Sequence, residues 1–219
     1  MGSTLTLTAA DGHSLDAYLA PARGKERGAV VIIQEVFGIN SHIRKVTDQY
    51  AEAGFRSIAP ALFDRLGKDI TVPYTDVPAG IDLAMKLKND ETLLDMKSAI
   101  DYVRPAGKVG VVGYCWGGTM SYLAAARLDI AAAVSYYGGF ISNYLDEQLR
   151  VPVMFHFGEK DAHIPLSTVE KIRAQHPQQT YHIYPAGHGF NCTDRASFDA
   201  ASAKLAFERS VEFLKQHVG

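Results

Sequence analysis

The segment Ala29-Val30-Val31-Ile32-Ile33-Gln34 is apolar over five consecutive positions, four of them β-branched. A strand with one wet face alternates apolar and polar residues. An unbroken run is therefore a strand covered on both sides, as in a parallel sheet packed between helices. Similar runs return at Lys108–Val112, Ala131–Tyr137 and Val153–Phe157, with shorter strand candidates at Arg56–Ala59 and Tyr181–Tyr184. Between them lie stretches of helical periodicity: Ile43–Ala53, Ile81–Val103 with a break near Asn89, Thr119–Arg127, Leu166–Gln175 and Phe198–His217. Strands alternating with helices predict an α/β protein with a mostly parallel central sheet and helices on both faces. At the start, Leu5–Thr8 and Leu15–Leu19 flank Asp11-Gly12 and read as a hairpin. In the last helix, Phe198, Ala201, Leu205, Phe207, Val211 and Leu214 are the residues expected to face the sheet. Phe63–Gly80, punctuated by Gly67, Pro73, Pro78 and Gly80, is expected to be irregular.

Composition narrows the function classes. The 219 residues carry 22 Lys and Arg against 24 Asp and Glu, a formal net charge of −2, which excludes a broadly basic nucleic-acid binder. No apolar run reaches the ~18–20 residues that a membrane-crossing helix needs. Two cysteines, Cys115 and Cys192, are too few for a disulfide framework. Met1–Thr6 lacks a basic start and an apolar run, so no signal peptide is read there. The same string fits the loose Met-Gly-x-x-x-Thr lipidation pattern, but the alternating Leu5 and Leu7 make a first strand the better reading. The expectation is one domain over residues 1–219, monomeric and cytoplasmic, acting on a small molecule without nucleic-acid or membrane partners.

In open α/β sheets, reactive groups gather beyond the carboxyl ends of the strands. Glu35 follows Ala29–Gln34, Cys115 follows Lys108–Val112, Asp161 follows Val153–Phe157, and His188 follows Tyr181–Tyr184. Gly113-Tyr114-Cys115-Trp116-Gly117 is a strand-to-helix turn of the Gly-x-nucleophile-x-Gly type, with sulfur in place of the usual serine oxygen. A β-carbon at either glycine would collide with the neighbouring strand or helix. The turn also leaves the sulfur at a helix N-terminus, where backbone N–H groups and the helix dipole favour a thiolate. The chain order nucleophile, acid, base suits a triad in which His188 is the general base and Asp161 orients its ring. Asp64 and Asp194 are the other acids considered, but neither follows a late strand. The backbone N–H groups of Val36 and Trp116 are the expected oxyanion donors.

Gln34-Glu35-Val36-Phe37-Gly38-Ile39-Asn40, Gly113-Tyr114-Cys115-Trp116-Gly117-Gly118, Gly158-Glu159-Lys160-Asp161 and Ala186-Gly187-His188-Gly189-Phe190 together resemble the dienelactone hydrolase (carboxymethylenebutenolidase) family. The similarity runs from about Leu15 to Leu214. The resemblance implies an α/β-hydrolase fold, no cofactor, and hydrolysis of a lactone or small ester through a thioester acyl-enzyme. It implies Cys115 as nucleophile, Asp161 and His188 as its partners, and Glu35 as a fourth residue that helps generate the thiolate. The family's well-studied members grip a substrate carboxylate with two arginines. One of those positions falls on Cys192 here, and no arginine occurs between Leu66 and Val103. Arg195, Lys86 and Lys88 are the available substitutes, and lysine does not replace arginine evenly in a bidentate clamp. A hydrolase for a different, uncharged substrate and a non-catalytic binding protein on the same scaffold stand as alternatives.

Other readings are weaker. His182, His188 and Cys192, with His156 and His163 nearby, match no zinc spacing, so no metal is expected. Gly113–Gly118 has the spacing Gly-x-x-x-Gly-Gly rather than Gly-x-Gly-x-x-Gly. Bulky Tyr114 and Trp116 would also block a pyrophosphate. Tyr136, Tyr137 and Tyr144 are candidates to line the pocket, and Tyr144 and Arg195 are the expected substrate contacts.

Overall fold

A computed structural model describes residues 2–219. Met1 of the loose lipidation pattern lies outside the described residues. Eight strands form one sheet: β1 (Ser3–Thr8), β2 (Ser14–Ala20), β3 (Ala29–Ile33), β4 (Arg56–Pro60), β5 (Val109–Tyr114), β6 (Ala132–Tyr136), β7 (Val153–Gly158) and β8 (Thr180–Tyr184). Their spatial order is β1-β2-β4-β3-β5-β6-β7-β8. β1 and β2 pair antiparallel, as do β2 and β4, and every later pair is parallel. The hairpin closes where Gly12 N–H donates to Ala9 O at 2.9 Å, and Gly12 takes a φ of +85° there.

Six helices cover the sheet: α1 (Ser41–Glu52), α2 (Val77–Lys86), α3 (Asn89–Val103), α4 (Trp116–Arg127), α5 (Leu166–Gln175) and α6 (Ala200–His217). α1 and α6 share one face, where the Tyr50 and Phe207 rings meet at 5.1 Å. α3 and α4 pack together on the other face. α5 joins them through its C-cap residue His176, whose ring bonds Tyr122 Oη of α4 at 2.8 Å. With both faces covered, every residue of β3, β5, β6 and β7 is buried. Burying a Val or Ile side chain stabilises by roughly 1.5–3 kcal/mol, so these unbroken runs anchor the fold. This is the α/β-hydrolase architecture.

One helix start and part of one helix face differ from the sequence expectation. The helical stretch Ile81–Val103 breaks beside Asn89 as expected, into two helices parted by Leu87 and Lys88, both with a ψ of 132°. The first begins at Val77, inside the stretch expected to be irregular. Its start is set by Asp76, whose carboxylate accepts from Ala79 N–H at 3.2 Å, with Pro78 in the first turn. On α6, Phe207, Val211 and Leu214 pack inward as expected, but the rest of the expected face does not. Ser202, Ala203, Ala206, Ser210, Phe213 and Leu214 are its buried residues, while Phe198, Ala201 and Leu205 are exposed. Tyr136 and His156 project from the sheet beneath this helix, and both hydrogen-bond to Ser210 Oγ, at 2.8 and 2.9 Å. The helix therefore turns its small and hydroxyl-bearing stripe inward to satisfy them.

Candidate active site

The carboxyl ends of the strands open into a cavity of about 290 Å³ lined by Val36, Phe37, Val77, Ile81, Cys115, Gly139, Phe140, His163, His188 and Arg195. Cys115 occupies the turn between β5 and α4 with φ 56° and ψ −119°, in the left-handed half of the map that a non-glycine residue rarely enters. Its conformation is held by Cys115 N–H donating to Tyr136 O at 3.0 Å and by Gly118 N–H donating to Cys115 O at 2.9 Å. A β-carbon at Gly113 would strike the Gly117 carbonyl, and one at Gly117 would strike the carbonyls of Gln34 and Ile33. The glycine pattern read from the sequence is thus a steric requirement of the bend.

His188 joins the two other predicted residues. Its Nδ1 lies 2.8 Å from Asp161 Oδ2 and its Nε2 lies 3.2 Å from Cys115 Sγ. A carboxylate only accepts, so Nδ1 carries the proton and Nε2 faces the sulfur. The second oxygen of Asp161 is fixed by His163 N–H at 2.8 Å and Ile164 N–H at 3.1 Å. Burial acts to raise the Asp161 carboxyl, but the bonds from His188 and these two amides hold it below the ordinary range. Burial likewise disfavours the His188 imidazolium. The neighbouring sulfur and carboxylate outweigh it and raise the imidazole above its ordinary value. The other acids considered are engaged elsewhere. Asp64 accepts from Asp16 N–H at 2.8 Å, and Asp194 accepts from Ser41 Oγ at 3.1 Å.

The segment Gln34–Asn40 frames the opposite wall. Gln34 Oε1 accepts from Leu62 N–H at 3.2 Å, tying the end of β3 to the turn after β4. Asn40 caps α1 by accepting from Ile43 N–H at 3.1 Å, and its side-chain amide donates to Tyr74 Oη at 2.9 Å. The N–H groups of Val36 and Trp116 find no acceptor among the described residues. Glu35 is fully buried and neither carboxylate oxygen receives a hydrogen bond. Burial pushes its carboxyl up, opposed first by Arg195, whose Nη1 stands 3.7 Å from Oε1. The Arg195 guanidinium lies over the Phe37 ring at 5.4 Å.

Not every expected residue reaches the cavity. Tyr144 lines a separate cleft with Trp116, Met120 and Phe140, where its hydroxyl accepts from Asn89 Nδ2 at 2.8 Å. Tyr136 and Tyr137 are fully buried, although the Tyr137 ring packs 5.0 Å from His188 behind the cavity wall. Lys86 is exposed and Lys88 pairs with Glu91 at 2.8 Å, so neither stands in for a missing arginine. His163, weighed in the sequence only beside candidate metal ligands, lines the cavity, and its ring meets that of His188 edge-on at 5.3 Å. The sequence reading passed over Val77, Ile81 and Phe140. His163 is two residues beyond Asp161 in the same strand-end loop, and that spacing was a usable signal. The Asp76–Pro78 helix start was the signal for Val77 and Ile81.

The dienelactone hydrolase family matches residues 15–218. A Synechocystis protein named "Putative carboxymethylenebutenolidase" is 34% identical over 94% of each chain. Carboxymethylenebutenolidase 1 of Cupriavidus pinatubonensis is 31% identical over 95% of this chain and 94% of its own. The crystal structure titled "Putative Dienelactone Hydrolase" from Klebsiella pneumoniae superposes with a TM-score of 0.83 at 28% identity, covering 98% of this chain and 100% of that one. Over nearly its full length, then, the chain belongs to the dienelactone hydrolase family.

Proposed function

We propose that this member of a hydrolase family cleaves lactones or small esters through a thioester on Cys115. The observation that carries the reading is the chain of contacts Cys115 Sγ, His188 Nε2, His188 Nδ1 and Asp161 Oδ2, at 3.2 and 2.8 Å, on a strained turn that faces a cavity. The sulfur attacks the carbonyl carbon, and its proton passes to His188 Nε2. The oxyanion rests on the N–H groups of Val36 and Trp116, for which the described residues supply no other acceptor. Collapse breaks the bond to the alcohol oxygen, which leaves with the proton from Nε2. Water then gives a proton to His188 and attacks the thioester, and the carbon–sulfur bond breaks. The sulfur regains its proton.

Glu35 is the fourth group. A carboxyl raised by burial readily accepts a proton, and a neutral carboxyl there removes the charge that would oppose a thiolate. Among the described residues, Arg195 is the one guanidinium lining the cavity, and it would meet a substrate carboxylate. Cys115→Ala tests the reading. Hydrolysis of a p-nitrophenyl ester or a dienelactone is expected to fall by at least about 10³-fold, with an unchanged circular dichroism spectrum. Undiminished turnover by that variant overturns it.

A further inference from the structure

Behind the cavity wall, three segments far apart in sequence bring Glu35, His42 and Cys192 together. One ligand-type atom from each lies within 4.8 Å of the other two. Glu35 comes from the loop after β3, His42 from the first turn of α1, and Cys192 from the loop that follows His188. All three are buried, at 0, 2 and 0% exposure, and Cys192 is a free thiol. The polar atoms there are also unspent. Glu35 Oε1, Glu35 Oε2 and His42 Nε2 have no hydrogen-bond partner among the described residues. Buried polar atoms without a partner are thus gathered beside the Cys192 thiol.

We infer that Glu35, His42 and Cys192 form a binding site for a zinc-class divalent ion, distinct from the Cys115–His188 pair. A carboxylate, an imidazole and a thiolate form a mixed set that suits Zn²⁺ or Co²⁺ and is too soft for Mg²⁺ or Ca²⁺. With Glu35 and Cys192 as anions, the charge of a divalent ion is balanced within the site. Bonds of about 2.0–2.3 Å set ligand atoms ~3.5 Å apart around a tetrahedral ion, so each side chain closes by about an ångström or less. The ion takes the thiol proton's place on sulfur and leaves one coordination position for water. It also takes Glu35 from Arg195, which lies 3.7 Å from Oε1 and lines the cavity. Occupation of the site therefore withdraws Glu35 from the candidate catalytic group and slows hydrolysis. That last effect rests on the proposed function; the binding does not. No regular ligand spacing betrays the site in the sequence, because its three members are brought together only by the fold.

Cobalt titration of chelator-treated protein tests the site without reference to turnover. Wild-type protein and Cys115→Ala are expected to bind one Co²⁺ each with a thiolate-to-metal absorption band. Cys192→Ser is expected to lose the band, and His42→Gln to weaken binding more than about 10-fold. Unfolding curves confirm that each variant is folded. If Cys192→Ser does not fold, Glu35→Gln with Cys192 intact serves in its place and is expected to weaken binding by a similar factor. Zinc is expected to slow ester hydrolysis by wild type, and His42→Gln is expected to resist it while keeping its metal-free activity. A band that disappears in Cys115→Ala and survives in Cys192→Ser places the ion on the catalytic thiol and overturns the site. Absence of any band in wild type also overturns it. A protein that binds cobalt as expected but hydrolyses nothing supports the site and refutes only the hydrolase reading.

Discussion

Two imidazoles, His156 fully buried and His188 with a side chain 11% exposed, each have two side-chain partners at hydrogen-bond distance, and they are prepared for opposite purposes. His188 lies between the Asp161 carboxylate and the Cys115 sulfur. His156 lies between hydroxyls: its Nδ1 is 2.8 Å from Tyr184 Oη and its Nε2 is 2.9 Å from Ser210 Oγ. The single hydroxyl proton of Ser210 is donated to Ala206 O at 2.8 Å, so Ser210 must accept from His156 Nε2–H and from Tyr136. Tyr184 in turn donates to Nδ1. This imidazole is neutral with its tautomer fixed, and burial, with His182 and Arg209 adding to it, drives its value well below the ordinary one. Around His188, burial is beaten by the two groups able to carry negative charge. Burial alone does not tell a reactive histidine from a structural one; the charge of its partners does.

Neutralising the carboxylate is the most damaging way to break that contrast. Asp161→Asn would keep a partner for His188 but remove its charge and allow the wrong tautomer. It is expected to lower kcat by about 10³–10⁴-fold with little change in KM, read from steady-state ester hydrolysis. A loss smaller than 10-fold would mean that another group steadies the ring. Changing His156 should do the reverse. His156→Leu leaves Tyr184 and Ser210 without their buried partner and is expected to cost about 1–3 kcal/mol in denaturant unfolding. Its kcat/KM should stay within about 3-fold of wild type, because its ring does not line the cavity.

What the sequence disclosed of these two sites follows the same division. The turn around Cys115 was legible because its constraint is local: five consecutive residues must bend so sharply that only glycine fits on either side. Asp161 and His188 were legible because strand ends put polar residues at one edge, whatever lies between them. The unbroken strand runs disclosed the sheet for the same kind of reason, since burial on both faces is written in each run separately. The face of α6 was legible only in part: Phe207, Val211 and Leu214 pack inward as expected, whereas Phe198, Ala201 and Leu205 do not. The longer side chains of Phe198 and Leu205 suggested the sheet side, but the inward face was decided by Tyr136 and His156, 74 and 54 positions before Ser210. Arg195 could be named as a cation near the site, yet its approach to Glu35 depends on how the loop after His188 folds back over the loop after β3. Both loops lack periodicity, and periodicity is what a sequence reading uses.

The contrast between the imidazoles also has a pH signature, smaller than either substitution. A group lowered in the folded state leaves the unfolded chain holding more protons as pH falls, so His156 costs stability progressively below its unfolded value of about 6.5. A raised group does the opposite. The contribution of His188 is fully present below about pH 6.5 and is lost as pH rises through its folded value. Between pH 6.5 and 5, wild type should therefore lose stability with a component from His156 of at most about 1.4 kcal/mol per pH unit. His156→Leu should lack that component, so the gap between the two proteins narrows on acidification. Unfolding midpoints at pH 7 and pH 5 measure it, and a gap that widens would show that the folded protein holds His156 protonated.

The smallest expected effect belongs to Tyr144, which tests whether the cavity boundary is drawn correctly. Its hydroxyl is 2.8 Å from Asn89 Nδ2, and its backbone oxygen accepts from Tyr122 Oη at 2.9 Å. Phe140 lines both its cleft and the cavity that holds Cys115. Tyr144→Phe removes one partly buried hydrogen bond, a stability cost of about 0.5–1.5 kcal/mol, and leaves the backbone contact in place. For a small ester seated against Cys115, kcat/KM should change by less than about 2-fold. A large rise in KM confined to substrates with a long acyl or alcohol arm would instead mean that Phe140 yields and the two spaces act as one, so that the pocket admits larger esters than its volume of about 290 Å³ implies.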